Sequence, residues 1–403
     1  MIPFCFMNNP FQFGRELGSD ELVDREDEIS SVIQTIRQGG KLFLIGPRRY
    51  GKTSILKAAS DRATQNGAVV LRYNAEGYPT IDLLVSAIIA DAAKQMRGGV
   101  EPAGQQIRQL FAKLRPELTF SVSQSSWSVK LGTAVAEQAG QVKLLVDALN
   151  ALEKMALSHL DERPIGLIVD EFQKVIEGDT KAESQIRAAI QQHKRVAYVF
   201  AGSKTRLLSE MTTNAERPFC RLGALRFVGP VPRGDFAEFL LNGFLLGRSR
   251  IQGVSQRSPN EGPIALILDL AEEVPYNVQV LAHSCWEHLS ELPTSDRILS
   301  DELVRAQVER IVRQYDPFYT QLWNQLTAVQ QKALVAVRSE GGMNLQSQRV
   351  IRTFGKGAAT MKRSLTRLLD RDILREEEHE GDVRYRFEDP FLGAWIERFA
   401  AKL

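Results

Sequence analysis

One stretch of the 403-residue chain gathers residue types that could handle phosphate. Gly46-Pro47-Arg48-Arg49-Tyr50-Gly51-Lys52-Thr53, followed by Ser54, reads G-x-x-x-x-G-K-[ST]. Glycines let a backbone curl until successive N–H groups point at phosphate oxygens. A helix opening near Gly51 adds the positive end of its dipole. Lys52 suits the β- and γ-phosphates of a nucleotide, and the Thr53 hydroxyl suits Mg²⁺. Residues Gly46 to Ser54 are therefore the candidate nucleotide-binding loop. The apolar run Leu42-Phe43-Leu44-Ile45 before it and the helix-like TSILKAASDRA after it supply the strand–loop–helix setting that the motif demands.

A second constellation lies downstream. Pro164 to Phe172 reads PIGLIVDEF, an apolar run that ends in two acids. A buried parallel strand reads as such a run, and ligands of open α/β sheets bind at the strand's carboxyl end. There Asp170 could hold Mg²⁺ through water, and Glu171 could polarise an attacking water as general base. Arg195 to Phe200 reads as another buried strand, ending in Ala201-Gly202-Ser203. Ser203 could sense a γ-phosphate, or simply cap a helix over Lys204 to Met211. Arg217 and Arg221 precede the strand-like Leu225 to Val228. An arginine so placed can complete a neighbour's site, or make an ordinary surface ion pair; Arg221 suits the first role better than Arg217.

These residues need a scaffold, and the remaining pattern describes one. Ala68 to Tyr73 reads as a strand and Thr80 to Lys94 as a helix. Leu22 to Ile29 opens a helix whose early acids suit its dipole, or packs beside a nucleotide base. About Gly98 to Leu160 reads as an insertion. Within it, Thr119 to Val122 and Trp127 to Leu131 alternate as a β-hairpin would. Gln141 to Leu160 repeats Leu144, Leu145, Ala148, Leu149 and Leu152 on one helical face. From Pro230 to about Arg310 the pattern is helical, and Gln314 to Pro317 marks a linker.

Beyond it the spacing predicts helices over Tyr319 to Val337, Met343 to Thr353 and Ala358 to Asp370. Strands follow over Ile373 to Glu376 and Val383 to Phe387, the order of a winged helix. Arg349, Arg352, Lys356, Lys362, Arg363, Arg367 and Arg371 form a local basic excess that suits phosphate contacts, as of DNA. Glu376, Glu377, Glu378, Glu380 and Asp382 on the wing would repel a nucleic-acid backbone, so protein contacts are the other use of this part.

Composition narrows the classes. Lysines and arginines outnumber acids by only 51 to 49, a formal net charge of +2, so any nucleic-acid surface must be local. Cys5, Cys220 and Cys285 are scattered, which suggests neither a disulfide framework nor a zinc site and fits a reducing cytoplasm. The histidines do not stand at metal-ligand spacing and read as structural. The first residues lack the basic and apolar regions of a signal peptide, and no run approaches bilayer length, so no membrane role is expected.

In these motifs the chain resembles the archaeal-type ATPase family, on the STAND and AAA+ side of the P-loop ATPases. That family shares its architecture with archaeal origin-recognition proteins. VDREDEI (Val23 to Ile29), GPRRYGKTSIL (Gly46 to Leu56), LIVDEFQ (Leu167 to Gln173), AGS (Ala201 to Ser203) and RPFCRLG (Arg217 to Gly223) carry the resemblance. VPYNVQVLAH (Val274 to His283) and YRFEDPFLGAWI (Tyr385 to Ile396) extend it over most of the chain. It implies an α/β P-loop NTPase domain (residues 1–230), then a helical lid (231–315) and a winged helix (316–403). The acid beside Asp170 and the extra strand between the two motifs place the expected five-stranded parallel sheet in the additional-strand class. It also implies ATP with Mg²⁺, slow switch-like hydrolysis, and assembly with itself through Arg221 or with a protein partner. A DNA-binding regulator and a non-hydrolysing scaffold are the other functions open to this architecture. Where the family's lid motif has G-x-P, this chain has Glu273-Val274-Pro275.

Overall fold

The computed structural model describes residues 9–95, 118–122, 127–131, 138–159, 163–177, 181–252, 261–379 and 381–400. They fall into two compact units. One is Glu16–Gly229; the other joins the described residues up to Arg15 to Pro230–Leu403.

The first unit holds strands β1 (Lys41–Ile45), β2 (Val69–Asn74), β3 (Leu118–Val122), β4 (Trp127–Leu131), β5 (Ile165–Asp170), β6 (Val196–Gly202) and β7 (Ala224–Phe227). Its helices are α1 (Glu26–Gln38), α2 (Lys52–Gln65), α3 (Ile81–Gln95), α4 (Gln138–His159), α5 (Gln173–Ile176), α6 (Ala182–Ile190) and α7 (Thr205–Thr213). Five strands form one parallel sheet in the order β2-β5-β6-β1-β7. β6 stands between β1 and β5, as the additional-strand class requires.

β5 and β6 are buried at every position because helices cover both faces. Ile165, Leu167 and Val169 join residues of α3, α4 and α6 in one core. Gly166 faces the other way, where a Cβ would stand 2.8 Å from Ile36 of α1. The α4 residues expected on one face, Leu144, Leu145, Ala148, Leu149 and Leu152, all enter the core. The expected hairpin is present as β3 and β4, antiparallel and separate from the main sheet. Its turn and much of the insertion lie outside the described residues.

Register decides where the motifs meet. Ile45 pairs with Gly202, Val169 with Phe200 and Asn74 with Asp170. The residues that follow β1, β5 and β6 therefore emerge side by side on one sheet edge. Those residues are Gly46, Glu171 and Ser203.

The second unit begins with α8 (Arg233–Leu246), α9 (Gly262–Leu270), α10 (Pro275–Ser290) and α11 (Asp301–Gln314), with the two-residue strands β8 (Arg250–Ile251) and β9 (Ile298–Leu299) paired in parallel. The fully buried Phe11 packs here, against Phe239 and Phe244. Then come α12 (Asp316–Asn324), α13 (Ala328–Ser339), α14 (Gln348–Phe354), α15 (Ala358–Asp370), β10 (Leu374–His379), β11 (Asp382–Phe387) and α16 (Pro390–Ala400).

Two expectations need correction. The helix expected over Tyr319 to Val337 is two helices. Thr327 starts the second with a capping box: its N–H donates to Gln330 Oε1 at 2.9 Å and its hydroxyl accepts the Gln330 N–H at 3.3 Å. The helix expected over Met343 to Thr353 is only Gln348–Phe354. The chain must first pass the wing at Gly341 and Gly342, both with positive φ, where a Cβ on Gly342 would lie 1.9 Å from the Tyr385 carbonyl oxygen. The hairpin register is Leu374↔Phe387 to His379↔Asp382, longer than the expected strands. Two of the C-terminal motif's residues bond α12: Asp389 accepts the Tyr319 hydroxyl at 3.0 Å, and Trp395 donates to Asp316 at 2.7 Å. Among the described residues no helix is long and apolar enough to cross a membrane.

Candidate functional site

The loop after β1 is shaped by close approach as much as by dihedral freedom. A Cβ on Gly46 would stand 2.6 Å from the Val228 carbonyl oxygen, so only glycine fits. Gly51 sits at φ +86° and turns the chain into α2, and Arg49 is also left-handed at φ +67°. No side chain caps α2, and its first turn carries no acid. A helix start of this kind directs its amide donors at an anion. Lys52 is buried and donates to the carbonyls of Gly46 and Pro47, both at 2.8 Å. Pro47 is half-buried, Arg48 and Arg49 are exposed, and Tyr50 is buried. The Ser54 hydroxyl is engaged inside the protein, accepting the Leu17 N–H at 3.0 Å.

At the end of β5 the Thr53 hydroxyl donates to Asp170 Oδ2 at 2.7 Å. The other oxygen of Asp170 accepts the Glu171 N–H at 2.9 Å. Burial holds the Asp170 carboxyl above its ordinary range; the hydrogen bond from Thr53 opposes this, while the Glu171 charge adds to it. A buried carboxylate touching a hydroxyl, next to a helix start that no side chain caps, has the oxygen chemistry that could hold Mg²⁺ together with nucleotide phosphates. Thr53, Asp170 and the loop therefore fit nucleotide and metal together.

Glu171 takes φ +51°, a left-handed conformation uncommon for a residue with a side chain. Its Oε2 accepts three donors: the Ser203 N–H at 3.2 Å, the Ser203 hydroxyl at 2.8 Å and the Gln173 amide. Arg48 Nε reaches the same hydroxyl at 3.4 Å. The helix-cap alternative for Ser203 is corrected here: α7 starts with Lys204 as cap residue and no side-chain cap bond. The serine hydroxyl goes to Glu171 instead, because β6 runs on to Gly202 and carries Ser203 beside the end of β5. A cleft of about 480 Å³ opens beside Arg48's exposed partner Glu76, lined also by Tyr78, Thr80, Lys174 and Glu177; no phosphate-loop residue lines it.

The two arginines part ways. Arg217 forms a two-nitrogen ion pair with Glu183 of α6, the ordinary role. Arg221, at φ +57° and exposed, has no ion-pair or hydrogen-bond partner for its guanidinium among the described residues. Its turn is pinned by Arg187, which donates to the carbonyls of Pro218 and Cys220.

In the winged helix, Lys356, Lys362, Arg363, Arg367 and Arg371 are exposed on or beside α15, and Arg352 is exposed on α14. Arg349 is drawn into an ion pair with Glu340. The wing arginines are occupied elsewhere: Arg375 pairs with Glu272 at 2.9 Å, and Arg386 with Glu272 at 3.5 Å and Glu377 at 3.0 Å. Glu272 and Glu273 are both left-handed, so the position where the family motif has glycine keeps the glycine-like backbone. Gln173 closes the LIVDEFQ stretch, but nothing in the sequence gave its side chain a role, and Glu272 belongs to no spaced motif.

Residues 317–398 match a family model described as "Probable winged helix domain". No curated protein matches the chain. Among solved structures, a Walker-type ATPase of Pyrococcus abyssi is similar over 96% of this chain and 99% of its own, at 15% identity and a TM-score of 0.57. The ORC2 protein of Aeropyrum pernix, solved with ADPNP and ADP, is similar over 98% of each chain, at 14% identity and a TM-score of 0.53. The chain thus shares the fold of these two proteins, a P-loop domain, and carries a C-terminal winged helix.

Proposed function

We propose that this chain is a Mg²⁺-dependent, ATP-binding and slowly hydrolysing switch of the AAA+ and STAND type. Its nucleotide state would be coupled to rearrangement of a helical lid (231–315) and a winged helix (316–403), following an ATPase part (1–230), and to assembly with a partner. The observation that carries the reading is the 2.7 Å contact of Thr53 with buried Asp170, at the start of a helix that no side chain caps. The loop amides and Lys52 would bind the phosphates. Thr53 and Asp170 would hold the metal, which when bound supplies charge neutralisation at the phosphoryl oxygens. Glu171 would accept the proton of the attacking water. Ser203 touches both Glu171 and Arg48 and is the natural reporter of the γ-phosphate. Arg221 is a group that a second copy could use. Cytoplasmic residence is part of the same reading and rests on the free thiols Cys220 and Cys285.

Glu171→Gln tests the assignment. The expected variant binds ATP as the unaltered protein does and releases no phosphate. Unchanged turnover would remove Glu171 from its role. Binding without phosphate release in both proteins would leave a nucleotide-binding scaffold.

The exposed basic residues of α15 favour a second reading, a DNA-binding regulator. Changing Arg363 and Arg367 together to Glu should then lower duplex affinity and flatten its salt dependence. Binding unaffected by the change would leave the winged helix to protein contacts.

A further inference from the structure

We propose that Gln173 is a positioning residue for Glu171, fixing its carboxylate from beneath while Ser203 fixes it from β6. The inference rests on the reading of Glu171 as the water-activating group and extends it to a residue that never touches nucleotide.

Gln173 is the first residue of α5, two positions after Glu171, and is fully buried. A glutamine in that setting is costly unless its amide is used. One half is used: the amide nitrogen donates to Glu171 Oε2. The other half is not, since Oε1 is buried without a hydrogen-bond partner. The fold accepts that loss to keep the nitrogen on Glu171. The amide cannot be reversed, because its oxygen would then face the carboxylate. Room for the side chain comes from Gly202, where a Cβ would stand 2.2 Å from Oε1.

The need for such a clamp lies in the backbone of Glu171. A left-handed residue with a side chain persists where its surroundings over-determine it. Three donors on one oxygen, two from Ser203 and one from Gln173, do so here. They leave Glu171 Oε1 as the oxygen available to a water. Ser203 is also reached by Arg48, which links its hold to the phosphate loop. Gln173 has no such link and is the constant side of the clamp.

The test is steady-state ATP hydrolysis by Gln173→Leu, with affinity for a non-hydrolysable ATP analogue measured on the same preparation. The leucine keeps the volume and removes the donor. The expected result is a fall in kcat of roughly tenfold or more, as for a reacting group displaced by a fraction of an ångström, with KM and analogue affinity within about twofold. Gln173→Asn draws the donor back by one methylene while adding nothing to the core. It should show the same split, and it serves if the leucine variant does not fold. Ser203→Ala combined with either variant should cost less than the sum of the single losses, because both donors serve one oxygen. A kcat equal to that of the unaltered protein, or a loss carried by KM and affinity instead, overturns the proposal and leaves Glu171's role standing. An unaltered protein that binds ATP without turning it over defeats that role, and the Gln173 inference with it.

Discussion

Glu171 and Gly202 show how much of the site is decided by single backbone positions. Glu171 bears left-handed strain of roughly 1–2 kcal/mol, and its three donors offset it. Gly202 makes the arrangement possible by lacking a side chain. In Gly202→Ala the new methyl would lie 2.2 Å from Gln173 Oε1 and 2.6 Å from Leu208 Cδ1, so buried groups must shift. The expected cost is about 1–3 kcal/mol. In a unit of this size that lowers the melting temperature by roughly 2–4 °C per kcal/mol. An unchanged melting temperature would show that Gln173 has other room. The contrast with the phosphate loop explains what could be read in advance. Gly51, Lys52 and Thr53 are constrained by their immediate neighbours, so their spacing announces them. Gln173 and Gly202 lie 29 positions apart and acquire meaning only when β6 settles beside β5. Arg217, which the sequence already ranks below Arg221 for completing a neighbour's site, is taken by Glu183 of α6, a partner likewise distant in sequence.

Elements meet the same division between local and distant causes. β1, β5 and β6 were legible as apolar runs because both sheet faces are covered there, and the hairpin as an alternating pair. Helix limits in the winged helix were missed where the stop comes from elsewhere, as at Gly342 against the Tyr385 carbonyl. What positions β6 is likewise remote. Glu153 of α4 is buried and accepts the N–H groups of Lys194, Arg195 and Val196 at 2.7–3.2 Å. Beside it the His193 ring bonds the Tyr198 hydroxyl at 2.7 Å and Asn150 at 3.0 Å, and Lys41 donates to the His193 carbonyl. Burial pushes the His193 imidazole below its ordinary value; Glu153 pulls it back up and Lys41 adds to the lowering. Its folded value therefore lies below the unfolded one of 6.5. The neutral ring's contribution is whole above the unfolded value and is lost as pH falls from there through the folded value. Denaturation at pH 7.5 and 5.0 should show less stability at the lower pH. His193→Gln should remove part of that slope, and a slope identical in both proteins would acquit the histidine.

At the scale of the whole chain, the second unit is held together by contacts across long sequence separations. Residues at the start of the chain read as a polar segment with a few aromatics, and one of those, Phe11, is fully buried against α8, where Gly243 leaves space for its ring. At the far end the wing is tied down by charge. Arg375 and Glu272 are nearly buried, 8% and 14% exposed, and Arg386 joins the same carboxylate. This bears on what the winged helix can bind, because two arginines that could have met phosphates are already spent on Glu272, and Glu376, Glu377 and Glu378 face solvent. Nucleic-acid contact would therefore fall mainly to the exposed basic residues on or beside α14 and α15, Arg352 and Lys356 included, and less to the wing. Glu272→Ala would strand the Arg375 guanidinium in a poorly hydrated place, a change of about 3–5 kcal/mol when one partner of a buried pair is removed. The left-handed backbone at Glu272 sets this carboxylate's direction, so Glu272→Gly should behave likewise despite relieving the strain. Hydrogen exchange would locate the effect. Amides of β10 and β11 should exchange faster in both variants, while those of β1, β5 and β6, in the other compact unit, keep their protection. Equal acceleration in the central sheet would mean that the two units do not unfold separately. No acceleration in the wing would mean that its core residues Leu374 and Phe387, not the charges, hold it in place.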